Sequence, residues 1–299
     1  MPAATVAIVR GTSPSQMVRK SLKLIQGTNL VSPDDKVLIK PNYVVAKHPS
    51  TGVTTDSRVV EALIKFAKEC GAIDITVGEG GSGDTEAAFE TVGIKEITSK
   101  LGAKLINLNR DQRVTVQIPR AVSLREINVA KTALQSTCII NAPTLKIHHM
   151  ALVTLGMKNL MGLVLPKGSI HQELQKRLVD LASIIKPKIN IIDGLVGCEH
   201  DEVHGRPVGM NIIIAGTDIV ATDAVGAAVI CIDPEDVEHI RLAHERGLGT
   251  GKLEEIEILG EPLESVKKIF ELPQELKAKL SRPRQPRQVQ VNRRSRSIN

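Results

Sequence analysis

Residues 36–84 read KVLIKPNYVVAKHPSTGVTTDSRVVEALIKFAKECGAIDITVGEGGSGD. The stretch runs through one unit nearly twice: a short apolar strand, a polar connection with glycine or proline, then a helix. Lys36–Ile39 is V-L-I behind a lysine, the signature of a strand covered on both faces. Asp56 stands where a helix N-cap belongs, Ser57–Cys70 follows as the helix, and Gly71 stops it. Asp74–Val77 is the next strand, followed by the glycine-rich loop Gly78–Asp84 and a helix from about Thr85. Strands alternating with helices through short connections predict an α/β fold, a mostly parallel sheet flanked by helices. Ligands of such sheets bind beyond the C-terminal ends of strands. Lys40-Pro41-Asn42 and the loop after Val77 both lie there.

Outward from this stretch the same grammar holds. Thr5–Arg10 is a strand, and Ser13-Pro14 opens a helix to about Gln26. Lys104–Leu108 is a strand, and Val114–Ile118 with Leu124–Asn128 predict a hairpin added to the sheet. Thr137–Ile140 reads as a central strand. Beyond it come a helix over Gln172–Ile185, strands over Ile189–Ile192 and Met210–Ala215, and a helix from Asp218 to Ile230. A helix starting at Asp233-Pro234, a last strand over Leu253–Leu259 and a short helix over Leu263–Phe270 complete the pattern. Residues 1–280 are expected to form one domain, or two α/β lobes divided near 110–136 with the site between them.

The densest run of unusual residues is Asn141 to His171, NAPTLKIHHMALVTLGMKNLMGLVLPKGSIH. Ala151–Leu165 is apolar on nearly every side, which predicts a buried helix. Thr154, Lys158 and Gly162 share its one polar stripe, with Asn159 on the shoulder. A buried ammonium is costly unless an anion meets it, so this segment reads as the floor of a binding site. Lys146 and His148, two apart in an extended stretch, share a side; His148 and His149 point to opposite sides.

Composition narrows the function classes. Hydrophobic content of 42% and charged content of 24% suit a globular domain. No apolar run reaches the roughly 18 residues of a membrane span, because Lys158 interrupts the best candidate. The N-terminus lacks a basic segment leading an apolar one, so the cytoplasm is the expected compartment. The net charge of +6 comes from a tail, Ser281–Asn299, holding six arginines and no acid. Without them, basic residues equal the 33 acidic ones. That tail is expected to be disordered, and it is the sole route to nucleic acid. Only Tyr43, Phe66, Phe89 and Phe270 are aromatic, too few for base-stacking platforms. Cys70, Cys138, Cys198 and Cys231 are scattered, with no iron–sulfur or structural-zinc spacing.

Other candidates lie at strand ends and in one loop. Glu79 and Asp84 in G-E-G-G-S-G-D disfavour a phosphate cradle and suit a metal or hydroxyl groups. Val196–Gly209, VGCEHDEVHGRPVG, gathers Cys198, Glu199, His200, Asp201, Glu202 and His204, donors that could hold a transition metal or simply form a solvated acidic loop. Asp193 ends a strand. Asp223 falls inside an apolar helix and needs a partner, with Lys158 or Lys146 the natural choice.

Taken in order, Lys40-Pro41-Asn42, Thr54 and Asp56, Glu79 in its glycine-rich loop, P-T-L-K-I-H, K-N-L-M-G, K-x-x-x-H, I-D-G and A-T-D-A resemble the DUF362 family over residues 5–260. The resemblance implies shared positions at Lys40, Asn42, Asp56, Glu79, Lys146, His148, Lys158, Asn159, Lys167, His171, Asp193, Gly194, Pro207, Gly209 and Asp223. Many members carry an added ferredoxin-like module, which implies redox protein partners; this chain has no such cysteine pattern, and its Cys198–Gly205 stretch departs from a more glycine-rich form. The expected function is an enzyme acting on a small anionic metabolite. Lys146, His148, Lys158, His171 and Asp193 would be its catalytic groups; the cofactor is left open, with a divalent metal as a candidate. Lys40, Asn42, Asp56, Glu79, Asn159, Lys167 and Asp223 would bind the ligand. The alternative is a non-catalytic accessory protein for a redox partner, holding a metal or cofactor, with Cys198, His200 and His204 as the candidate metal ligands.

Overall fold

The computed structural model describes residues 3–280, so the arginine-rich 281–299 lie outside the described residues. Strands β1 (Ala4–Arg10), β2 (Lys36–Pro41), β3 (Asp74–Glu79) and β4 (Lys104–Asn107) stand where the apolar runs predict them. They are followed by β5 (Arg113–Gln117), β6 (Glu126–Ala130), β7 (Cys138–Ala142), β8 (Thr144–His148), β9 (Leu152–Thr154) and β10 (Val164–Leu165). The last three are β11 (Ile189–Glu199), β12 (Arg206–Gly216) and β13 (Ile256–Gly260).

One ten-stranded sheet runs through the chain in the order β13-β1-β12-β11-β7-β2-β3-β4, with β8 and then β9 attached beyond β11. It is parallel from β11 across to β4 and between β1 and β13; only β12 runs against its neighbours on this path. The mostly parallel α/β architecture is therefore the one the alternation predicts.

Two-residue alternation sorts the strand side chains onto two cores. Val6, Ile8, Leu38, Ile212 and Ile214 face the helices Leu174–Ile184 and Ile219–Val229. Ala7, Val9, Val37, Ile39, Ile213 and Ala215 face the helices Pro14–Leu24 and Ser57–Glu69. Helix Ile219–Val229 is buried at every residue, as its unbroken apolar sequence requires. Asp56 and Asp218 cap their helices as expected, each accepting a backbone N–H from the first turn.

Three expectations are corrected. The hairpin β5–β6 forms, but it leaves the main sheet and pairs with β10 instead. Ile127 and Val129 on β6 join the cluster around Met161, Leu163 and Val164, which draws the hairpin to that side. Second, Ala151–Leu165 is fully packed but is not one helix. It comprises β9, a single helical turn at Gly156–Asn159, a 3-10 turn at Leu160–Leu163 and β10. A cap from Asp223 begins helix only at Gly156, and Gly162 lies so close to the Lys40–Glu79 pair that an added Cβ would stand 2.3 Å from Glu79 Oε1.

Third, most of the Val196–Gly209 loop is strand. β11 continues to Glu199, β12 begins at Arg206, and the two pair antiparallel around a turn at 200–205. β11 pairs with β7 at Ile189 and Asn190, then with β8 at Asp193 and Cys198. The change of partner carries the hairpin tip toward Lys146.

Gly52 presses the 49–52 turn onto β11. Its φ is +71°, and an added Cβ would sit 2.3 Å from the Gly197 carbonyl oxygen. Left-handed strain and a backbone clash together predict that Gly52→Ala costs about 2–4 kcal/mol of unfolding free energy in urea titration. An unchanged midpoint would show that the turn is free of β11.

Candidate functional site

The C-terminal ends of β2 and β3 meet in a buried ion pair. Lys40 and Glu79, 1% and 2% exposed, lie with Nζ 2.9 Å from both carboxylate oxygens. Lys40 Nζ also donates to Pro41 O at 2.8 Å and Asn159 Oδ1 at 3.0 Å. Glu79 accepts the Tyr43 N–H at 2.8 Å and the Gly80 N–H at 2.7 Å. Burial pulls the Lys40 ammonium below its ordinary value, and Glu79 opposes the shift.

From this pair a chain of amides runs across the floor of a cleft. Asn159 Oδ1 accepts from Asn42 Nδ2 at 2.9 Å, while Asn159 Nδ2 donates to Asn141 Oδ1 at 2.9 Å. Asn42 Oδ1 in turn accepts from Lys146 Nζ at 2.9 Å. Lys146 also donates to the carbonyls of Val53 and Glu202 at 2.7 and 3.2 Å, so the connection after β2 and the turn at 200–205 meet on one ammonium. Burial lowers Lys146 to about 7. Lys167 is held similarly, by the carbonyls of Met161, Gly162 and Val164 at 3.0–3.2 Å, and burial lowers it to about 7.

The cleft encloses about 500 Å³, part of it open to solvent, and is lined by Lys40, Asn42, Glu79, Lys146, His148, Thr154, Lys158, Asn159, Lys167, His171 and Glu202 among others. Most of these side chains have fixed partners; two do not. Lys158 Nζ makes no hydrogen bond or ion pair among the described residues, and Thr154 Oγ1 is buried without a partner. Burial lowers Lys158 to about 8, with the Glu202 carboxylate opposing the shift.

His148 is held in one tautomer. Its Nδ1 accepts the backbone N–H groups of Met150 and Ala151 at 3.0 and 3.2 Å, so the ring proton sits on Nε2. Nε2 stands 3.7 Å from Glu202 Oε1. Burial, with the nearby Lys158 charge, drives the imidazole down to about 2. The rings of His148 and His149 stack at 4.9 Å rather than pointing apart, because β8 ends at His148 and the chain turns there. His149 Nδ1 lies 2.5 Å from Glu202 Oε1.

Several expected site residues stand elsewhere. Asp193 does not line the cleft; it accepts the N–H groups of Asp56 and Leu195 at 2.7 and 3.0 Å and ties β11 to the helix that Asp56 starts. The Asp56 carboxylate is occupied by Arg58. Asp223 takes no lysine partner: it accepts the Gly156 and Met157 N–H groups at 2.6 and 2.9 Å, and burial raises it to about 7. Cys198, His200 and His204 are not brought together. Cys198 Sγ donates to Asp201 O, while His200 and His204 hold the turn through their backbone N–H groups.

Among the described residues, the group of three metal-type donors whose atoms approach within 4.8 Å is His148, His149 and Glu202. A cation on His148 Nε2 would have to displace the ring proton that the two amides at Nδ1 keep there, so the donor set fits a metal poorly as it stands. Glu202 was visible in sequence only as one of several loop acids, and His149 only as the neighbour of His148. Their convergence follows from the hairpin.

Residues 37–228 match the family model described as Domain of unknown function (DUF362). The chain belongs to the DUF362 family. Over 258 residues it is 27% identical to a protein of Synechocystis sp. named thylakoid-associated protein, an alignment covering 83% of this chain and 79% of that protein. In this DUF362 chain no helix among the described residues is long and apolar enough to cross a membrane.

The His148 geometry sets a pH dependence. The imidazole titrates near 6.5 when unfolded and near 2 when folded, so between these values the unfolded chain binds the extra proton. Stability is then lost as pH falls below 6.5, by about 1.4 kcal/mol per pH unit for this group. His148→Asn keeps an acceptor for the two amides without the titration. The wild-type stability advantage over the variant should shrink on acidification, and a difference that stays constant with pH would show that His148 titrates normally in the fold.

Proposed function

We propose that the cleft is the active site of an enzyme acting on a small anionic metabolite, with Lys158 as the group that meets the anion. The observation that carries this reading is the contrast between spent and unspent groups. Lys40, Lys146 and Lys167 are surrounded by oxygen acceptors, while Lys158 and Thr154 present unpaired donors to the same cleft. A desolvated, unpartnered ammonium weakens the fold and is at home where a ligand completes it. His148 adds an Nε2–H donor.

The chemical roles divide accordingly. His148 cannot serve as a base, since Nδ1 is occupied and Nε2 already bears the proton; it is a donor to the ligand. Lys146 and Lys167 shape the cleft and fix its loops. Lys158 is the unpartnered group left to exchange protons near neutral pH. His171, exposed and hydrogen-bonded through Nδ1 to Lys167 O at 3.0 Å, sits at the rim.

Two probe anions, pyruvate and inorganic phosphate, test the reading by NMR titration. At least one should bind, and Lys158→Met should weaken it by about tenfold or more, the scale of one charge-assisted hydrogen bond. Thr154→Val should weaken it less. Because Lys158 has no partner to lose, Lys158→Met should leave the thermal midpoint unchanged or raise it. Unfolding of that variant, or equal binding by both proteins, would remove Lys158 from this role.

A further inference from the structure

We propose that Lys158 is an amine nucleophile that forms an imine with the carbonyl carbon of a small 2-oxo acid, whose carboxylate is received by Thr154 Oγ1 and His148 Nε2–H. The inference rests on the anion-cleft reading above and adds a covalent step to it.

The geometry singles out one of four cleft lysines. Nucleophilic attack needs a nitrogen free to swing onto the carbonyl carbon, and one wrapped by acceptors is tied in place even where burial lowers it as far as it does Lys146 and Lys167. Lys40 Nζ has four acceptor atoms, and Lys146 and Lys167 have three each. Lys158 has none among the described residues, and nothing in the cleft opposes loss of its proton except the Glu202 charge. With burial lowering it to about 8, roughly a tenth of the amine is neutral at pH 7, against about 0.03% for an ordinary lysine.

The neighbouring donors suit a carboxylate rather than a phosphate dianion. Thr154 and His148 are neutral, and Glu202 on the same wall repels further negative charge. A phosphate would hold Lys158 charged; a carbonyl compound leaves it free to react.

The step balances without an outside oxidant or reductant. The Lys158 lone pair forms a C–N bond as the carbonyl π pair moves to oxygen, and one N–H proton passes to that oxygen, giving a carbinolamine. The nitrogen lone pair then expels the hydroxyl, which takes a proton from solvent water and leaves as water. The hydroxide left behind recovers the remaining iminium proton. Amine and carbonyl thus become imine and water.

The test traps the adduct. Full-length protein is incubated with glyoxylate or pyruvate at pH 7, reduced with sodium borohydride, digested and mapped by mass spectrometry. The expected result is a reduced carboxyalkyl adduct on the Lys158 peptide, about a hundredfold or more above that on exposed Lys20, in line with the difference in neutral amine. Lys158→Arg, which keeps a cation but has no reactive amine, should bind glycolate or lactate in NMR titration and form no adduct at position 158. Equal labelling of Lys158 and Lys20 overturns the imine; if glycolate or lactate still binds the wild type, the anion cleft survives. Failure of all four acids to bind or label overturns both.

Discussion

The ion pair between Lys40 and Glu79 is the constraint on which the neighbouring architecture depends. Taking two charges out of water costs several kcal/mol each unless the remaining donors and acceptors are met. Here they are met, by Pro41 O and Asn159 Oδ1 on one side and by the Tyr43 and Gly80 amides on the other. Those groups come from three separate places in the chain, so satisfying one ion pair places all of them. The Gly80–Gly81 turn, the Asn42–Tyr43 turn and the Asn159–Gly162 turn are consequences of that single demand. Removing either partner would strand the other charge, which is the expensive outcome for a buried pair.

Against this satisfied floor the unpaired groups stand out. A protein interior rarely tolerates a polar atom without a partner, and the cleft holds the buried Thr154 Oγ1 in that state beside the half-buried, unpartnered Lys158. The two are four residues apart but do not lie on one helix: Thr154 ends β9 and Lys158 sits in the short turn after it. The Asp223 cap that starts this turn therefore positions Lys158 from behind, with a buried carboxylate bonded to backbone rather than to a cation.

What the sequence made legible was local. Apolar runs, Asp56, Gly71 and Asp218 act within a few residues of themselves, so the sheet and its helices could be read directly. The strand-end rule likewise pointed to Lys40 and Glu79. Long-range partners were not legible. Ala151–Leu165 looks helical until Asp223, far along the chain, starts the helix at Gly156. His148 and His149 look opposed until the strand ends between them. The metal-like loop dissolved because β11 and β12 pair through most of it, an extension that depends on β8 lying alongside. Asp193 looked catalytic because strand ends usually are, yet two backbone amides claim it.

The β11–β12 hairpin divides the cleft into parts with different freedom to change. The floor is made by strand ends and amides that hold one another in place, so altering any of them disturbs the sheet. The roof is a six-residue turn at 200–205 carried beyond the sheet, and it reaches the floor through the Glu202 carbonyl on Lys146 and the Glu202 carboxylate near His148 and His149. Lengthening, shortening or recharging that turn would alter the width and charge of the entrance while the core stayed as it is. The shape of the entrance and the fold are thereby encoded in separable pieces of chain.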